Sequence, residues 1–101
     1  MGKTIHVNAV YYNGHQSIKF ADSVFNEDKI LDAKRYYDEW VSAFKNFGWE
    51  VSNDECTTDN LLDMAVNKNR NLSTTLVGRC ELTPTGKVCR VNLWFTKDDE
   101  H

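Results

Sequence analysis

The side chains best suited to bind a metal or act as nucleophiles are three histidines and three cysteines, namely His6, His15, Cys56, Cys80, Cys89 and His101. Zinc sites usually draw their ligands from closely spaced pairs such as CxxC. No two of these residues have that spacing. The sequence therefore predicts neither a metal site nor any other cofactor.

Two of the cysteines, Cys80 and Cys89, lie opposite each other in a hairpin that the alternation of residues near the end of the chain predicts. A disulfide between them is geometrically possible, but two small buried thiols are the expected state in a reducing cytoplasm. A nucleophilic cysteine needs a base or a cation beside it, and nothing in the sequence places one there.

Motifs of common catalytic sites are missing from the sequence. There is no glycine-rich phosphate loop, no GxSxG and no HExxH. We therefore expect a protein that is not an enzyme.

The distribution of charge is more informative than any motif. Between Lys45 and Lys68 there is no basic residue, whereas five carboxylates occur there, namely Glu50, Asp54, Glu55, Asp59 and Asp63. Carboxylates spaced in this way can imitate nucleic-acid phosphates and occupy a basic cleft of a partner protein, with Trp49 as an apolar contact. The alternative is an ordinary solvated loop before a helix. We expect Asp54, Glu55 and Asp59 to be dispensable for the core.

A second, basic set lies nearer the end of the chain. Arg79, Lys87 and Arg90 occur there together with Trp94, and they predict an alternative function as a small nucleic-acid-binding or regulatory domain. The whole chain has a formal charge of −3, which does not favour general binding to nucleic acid.

The length and composition of the chain predict the kind of domain that carries these residues. A chain of 101 residues that is 41% hydrophobic predicts one domain, 1–101, with a core of its own. It contains no apolar run long enough to cross a membrane and no signal-peptide pattern. We expect a cytoplasmic protein.

The first element predicted is a hairpin. Apolar and polar residues alternate over residues 4–12, and Asn13-Gly14 then predicts a two-residue type I′ turn. Such a turn places Ala9 opposite Ile18 and Val7 opposite Phe20.

A long amphipathic helix follows over about residues 27–47. Its apolar stripe has the spacing of three and four residues typical of a helix and consists of Ile30, Ala33, Tyr37, Trp40, Val41, Phe44 and Phe47. Asn26 is the predicted N-cap, Gly48 ends the helix, and Trp49 is expected to fold back onto Phe44.

The rest of the chain predicts a short strand, a short helix and a second hairpin. The strand covers residues 49–52, and the helix contains residues 61–66 and is capped by Thr58 or Asp59. The hairpin pairs residues 72–82 with residues 87–96 across a four-residue loop, which places Cys80 opposite Cys89 and Arg79 opposite Arg90. The predicted fold class is α+β: an antiparallel sheet of two hairpins with one long and one short helix packed on one face, in the order β-β-α-(β)-α-β-β.

Three of these features occur together in a known group of proteins. The Asn13-Gly14 hairpin, the helix end over residues 40–49 (WVSAFKNFGW) and the carboxylate-rich loop before a short helix resemble one group of anti-CRISPR proteins, over residues 4–66. Those are small phage-encoded inhibitors whose acidic surface occupies the DNA-binding cleft of a nuclease. The resemblance implies a DNA mimic acting in the host cytoplasm on a CRISPR effector or another nucleic-acid-binding protein. The inhibitory residues that it implies are Glu50, Asp54, Glu55, Asp59 and Asp63.

Overall fold

The computed structural model of the chain describes residues 3–66, 75–82 and 86–97. The described elements are β1 (Lys3–Asn13), β2 (Gln16–Asn26), α1 (Ile30–Asn46), β3 (Glu50–Asp54), α2 (Thr58–Val66), β4 (Thr75–Leu82) and β5 (Lys87–Lys97). All the strands belong to one antiparallel sheet in the order β2-β1-β5-β4-β3. This confirms the predicted α+β class and the predicted order of elements.

The two helices pack on one face of the sheet, which we call the helix side. The buried strand residues alternate along β1 and β5, as a strand with one covered face requires. They form one core with Ala33, Tyr37, Val41 and Phe44 of α1 and Leu61 and Met64 of α2. The opposite face of the sheet, which we call the open face, carries the residues that alternate with the buried ones.

The predicted register of the first hairpin is wrong. Asn13 is not in the turn but pairs with Gln16, and Gly14 and His15 form the loop. Gly14 has φ +64°, and no described residue other than glycine has a positive φ. A type I′ turn at Asn13-Gly14 would need a positive φ at Asn13 as well, whereas glycine alone suffices at the first position of a type II′ turn.

A bulge in β2 moves the register again. Val10 pairs with Lys19 but Ala9 pairs with Ala21, so Phe20 is the extra residue on β2. Phe20 lies on the helix side, where its ring stacks on Trp40 with centroids 6.4 Å apart, and it remains half exposed.

The long helix begins later than predicted and ends where predicted. Residues Glu27–Lys29 form a 3₁₀ turn before α1, and Asn26 makes no side-chain capping hydrogen bond. At the other end, Gly48 has φ +96°, and the Trp49 N–H donates to the Phe44 carbonyl over 3.1 Å. This is a Schellman motif, and it confirms that Gly48 ends the helix.

Two details of the helices differ from the sequence prediction. Phe47, the last residue of the predicted stripe, is the C-cap residue beyond the end of α1 and is 82% exposed. The N-cap of α2 is Thr57, whose Oγ1 accepts a hydrogen bond from the Asn60 N–H over 3.2 Å, not Thr58 or Asp59.

The second hairpin has the predicted register. Leu82 pairs with Lys87, Cys80 with Cys89 and Leu76 with Leu93. Residues 72–74, which were predicted to begin β4, lie outside the described residues. The short strand β3 pairs with β4 at the edge of the sheet and is shifted by one to two residues from its predicted range. In the described part of the chain, no helix is both long and apolar enough to cross a membrane.

Candidate functional site

The acidic segment begins at the turn that ends α1. The Schellman motif at Gly48 brings Trp49 back over the helix, where its ring lies 6.3 Å from Phe44 and 6.1 Å from Tyr11. Trp49 is therefore half-buried and packs against the outside of the core. Directly after it, Glu50 starts the edge strand β3.

All five predicted carboxylates are exposed, and Asp54 is considered separately because it is hydrogen-bonded to the core residue Tyr37. We call Glu50, Glu55, Asp59 and Asp63 the acidic margin. Glu50 lies opposite Glu81 at the start of β3, whereas Asp59 and Asp63 lie one helical turn apart on α2. The margin thus runs along the β3 edge of the sheet and onto the short helix.

The backbone beneath the acidic margin is held by specific hydrogen bonds. The Glu55 N–H donates to the Val77 carbonyl over 2.9 Å, and the Glu55 carbonyl accepts a hydrogen bond from Asn60 Nδ2 over 2.9 Å. Thr57 caps α2 in the same turn. Because the turn is fixed from both sides, its carboxylates are displayed on an ordered scaffold.

The fifth carboxylate, Asp54, has a structural role. Its Oδ1 accepts a hydrogen bond from the Tyr37 hydroxyl over 2.9 Å and another from the Cys56 N–H over 3.1 Å. The expectation that Asp54 is dispensable for the core is therefore wrong, because its carboxylate ties the end of β3 to α1. Sequence reasoning missed this since Tyr37 lies 17 residues away in the chain.

Burial raises the pKa of both groups that donate to or lie beside Asp54. Burial, followed by the hydrogen bond to Asp54, raises the pKa of Tyr37 above its ordinary range. Burial also raises the pKa of Cys56 to about 12, although nearby Lys34 opposes the shift. A reactive cysteine needs a lowered pKa, so this thiol is a core residue.

The predicted basic set is divided between the two faces of the sheet. Arg79 and Arg90 lie opposite each other on the open face. Arg79 forms an ion pair with Glu81 at 2.6 Å, and the Arg90 guanidinium lies 5.4 Å from the centre of the Tyr12 ring. Lys87 precedes Cys89 by two residues on the same strand and so belongs to the helix side.

The remaining member of that set, Trp94, is engaged by a neighbouring strand. His6 stacks on its ring with centroids 4.9 Å apart, and His6 Nε2 is hydrogen-bonded to Thr96 Oγ1 at 2.8 Å. One face of the indole is thereby covered. The structure brings Arg79 and Arg90 together on the open face, places Trp94 on the same face four residues further along β5, and leaves Lys87 on the helix side.

The candidate metal ligands do not converge. Within residues 3–66, 75–82 and 86–97, no three His, Cys, Asp or Glu side chains are placed to hold a metal ion. His15 lies in the first hairpin loop, and His101 lies outside the described residues. All three cysteines are buried free thiols, including the facing pair Cys80 and Cys89.

Sequence reasoning missed an apolar groove beside the end of α1. It has a volume of about 390 Å³ and is lined by Tyr11, Ile18, Phe20, Trp40, Phe44, Phe47, Trp49 and Cys89. It arises because the first hairpin and the helix end approach each other without closing. The feature of the sequence that pointed to this groove is Phe47, an apolar residue at the very end of the helical stripe.

Comparison of the chain with protein-family models, with curated proteins and with solved structures finds no match.

Proposed function

We propose that this chain is a non-catalytic inhibitor of the anti-CRISPR type, which uses its acidic margin to bind the nucleic-acid site of a host protein. The observation that carries the proposal is the exposure of Glu50, Glu55, Asp59 and Asp63 along the β3 edge, the turn after it and the short helix α2. The resemblance of residues 4–66 to such inhibitors also supports it.

The charge of the margin is suited to a basic cleft. No lysine or arginine occurs between Lys45 and Lys68, so no cation within this segment offsets its carboxylates. Asp59 and Asp63 lie one turn apart on α2, so a cation of a partner that lies between them is attracted by both carboxylates. A nucleic-acid backbone presents a comparable row of closely spaced negative charges. The partner class that fits is a CRISPR effector or another nucleic-acid-binding protein of the host cytoplasm.

The proposal is tested by competition with DNA. A panel of purified RNA-guided nucleases is titrated with the protein, and binding of a fluorescent target duplex is followed by anisotropy. We expect the wild type to displace DNA from at least one nuclease, with an apparent affinity that weakens as salt screens the charges. The triple variant Glu55→Gln, Asp59→Asn, Asp63→Asn is expected to act at least about tenfold more weakly, a change of about 1.4 kcal/mol.

A matched control separates the site from the net charge. The variant Asp28→Asn, Asp32→Asn, Glu39→Gln removes three carboxylates from the 3₁₀ turn and α1 and leaves the acidic margin intact. It is expected to inhibit as the wild type does. Asp54 is kept in both variants because of its hydrogen bond to Tyr37. Equal inhibition by the margin variant and the wild type, or the absence of inhibition by the wild type, refutes the proposal.

A second candidate is a nucleic-acid-binding function of the open face. It is favoured by the juxtaposition of Arg79 and Arg90 on the open face, where the Arg90 guanidinium lies against the Tyr12 ring. It ranks second because Arg79 is paired with Glu81 and one face of Trp94 is covered by His6. If it holds, a single-stranded oligonucleotide binds with a log–log salt slope of about −1.4, the value for two phosphate contacts, and Arg79→Gln with Arg90→Gln abolishes binding.

A further inference from the structure

The two edges of the sheet differ in length and character. At one edge, β3 has only five residues, is irregular between Val51 and Asn53, and carries Glu50 and Asp54. At the other edge, β2 runs for 11 residues and, within the described part of the chain, pairs with β1 alone. An edge strand of that length presents a row of backbone donors and acceptors to which another strand can add.

The strand β2 is also unusually apolar for an exposed edge. Of the seven large apolar side chains that are exposed among the described residues, three lie on β2: Ile18 and Phe20 at 50% and Val24 at 61%. Ile18 and Phe20 belong to the helix side, and Val24 to the open face. Ile18 and Phe20 thus adjoin on the helix side, and an exposed apolar patch of this kind typically marks an interaction site.

The bulge gives β2 an arrangement of charge that suits pairing with itself. On a regular strand, residues three apart lie on opposite faces. Because Phe20 is the extra residue, Lys19 and Asp22 instead lie on the same face, where their side chains form an ion pair at 3.1 Å. Facing residues in an antiparallel pair share one face of the sheet, so Lys19 can face Asp22 of a second β2.

We propose that the chain forms a symmetric dimer in which β2 pairs antiparallel with β2 of a second copy, with Lys19 opposite Asp22 of that copy. The two-fold axis then passes between Phe20 and Ala21. The same register places Ile18 opposite Ser23 on the helix side. It also places Ser17 opposite Val24 on the open face.

Several features of this register favour pairing of the two β2 strands. Each lysine meets an aspartate of the other copy, so the charges are complementary twice because of the symmetry. Phe20 faces Ala21, so a large side chain meets a small one, and the helix-side apolar surfaces of the two copies join across the new pair. The result is a continuous sheet of ten strands whose two acidic margins lie at its opposite ends. The proposal does not depend on the proposed function of those margins.

The test is a reciprocal exchange of charge. We expect sedimentation equilibrium of the wild type, from micromolar to millimolar concentration, to show a monomer–dimer equilibrium. Lys19→Glu and Asp22→Lys each create two like-charge pairs across the axis and should weaken dimerisation at least about tenfold. The double variant Lys19→Glu, Asp22→Lys restores opposite charges and should recover the affinity of the wild type.

Two controls distinguish dimerisation from folding. Circular dichroism melts at high dilution report the stability of the monomer, to which the exposed pair Lys19 and Asp22 contributes little. Leu31→Asp changes an exposed apolar residue of α1 that lines no part of the groove and should leave dimerisation unchanged. Amide exchange within β2 should become slower as the protein concentration increases.

Three results would overturn the proposal. The first is a monomer at millimolar concentration whose amide exchange in β2 does not depend on concentration. Pairing of β2 with a strand of a different protein would not rescue the proposal. The second is a dimer that both single charge variants form as tightly as the wild type. The third is a dimer abolished by Phe47→Asp and insensitive to the charge variants, because the apolar groove would then be the interface.

Discussion

The hydroxyl group of Tyr37 on α1 lies directly against Gly78 on β4. A methyl group at residue 78 would overlap that hydroxyl, so the close approach of helix and sheet at this point requires glycine. The hydroxyl donates to Asp54 Oδ1 over 2.9 Å, and Asp54 faces Gly78 across the β3–β4 pair. One tyrosine thus links the long helix to two strands at the base of the acidic margin.

This contact predicts a strong and specific effect of a single methyl group. Gly78→Ala should lower the free energy of unfolding by about 2–3 kcal/mol, because a well-packed site cannot accept the added atom. In a Tyr37→Phe background, which removes the overlapping oxygen, the same substitution should cost at least about 1 kcal/mol less. Urea unfolding of the four proteins in the cycle measures the difference. Tyr36→Phe in place of Tyr37→Phe is the control and should give no relief.

The buried thiols predict a loss of stability at alkaline pH. Burial raises the pKa of Cys56 from 9.0 to about 12 and that of Cys89 from 9.0 to about 11. Above pH 9 the unfolded chain therefore releases these protons before the folded chain does, so the free energy of unfolding falls as pH rises. The raised pKa of Tyr37 adds to this fall at still higher pH.

The contribution of one thiol is measured with Cys56→Ala. The expected slope of unfolding free energy against pH, between about pH 9 and 11 under reducing conditions, is shallower by up to about 1.4 kcal/mol per pH unit than in the wild type. An identical slope in the two proteins would mean that Cys56 ionises equally readily in both states.

The end of the helical stripe predicts unequal effects for two phenylalanines. Phe44 is buried and contacts Phe20, Trp40 and Trp49, whereas Phe47 is 82% exposed. Phe44→Ala should cost about 3–5 kcal/mol and Phe47→Ala less than about 1 kcal/mol, as judged by urea unfolding. Trp40, which is half-buried against Phe20, should give an intermediate value.

The facing cysteines predict a defined redox state. Cys56, Cys80 and Cys89 are free and buried, so protein from a reducing cytoplasm should resist alkylation when folded and take up three alkyl groups when unfolded without reductant. Mass spectrometry counts the groups. Uptake of one group would show that two cysteines are joined, and a Cys80–Cys89 bond would still agree with their register.

Local patterns predicted much of the architecture correctly because they act over a few residues. Gly48 ends the helix because the Gly48 N–H donates to the Lys45 carbonyl and the Trp49 N–H to the Phe44 carbonyl, all within six consecutive residues. The second hairpin follows from the alternation that places Cys80, Cys89 and their neighbours on one face, which a shift by one residue would destroy. The exposed carboxylates of the acidic margin could likewise be identified from charge alone.

The predictions that were wrong concern features that depend on contacts between residues far apart in the chain. Asp54 has the sequence context of a loop carboxylate, but the fold brings Tyr37 to it, and Phe47 continues the helical pattern although it lies beyond the end of α1 and is exposed. The first hairpin differs from the prediction at its turn, where Gly14 takes the positive φ, and again at the bulge, where the extra residue Phe20 packs against Trp40. The sequence alone determined which segments are helices and strands and where the charges are. Only the tertiary structure decided which carboxylate supports the core and which strands form the two edges of the sheet, because the bond of Asp54 to Tyr37 and the strand order both depend on contacts between segments distant in sequence.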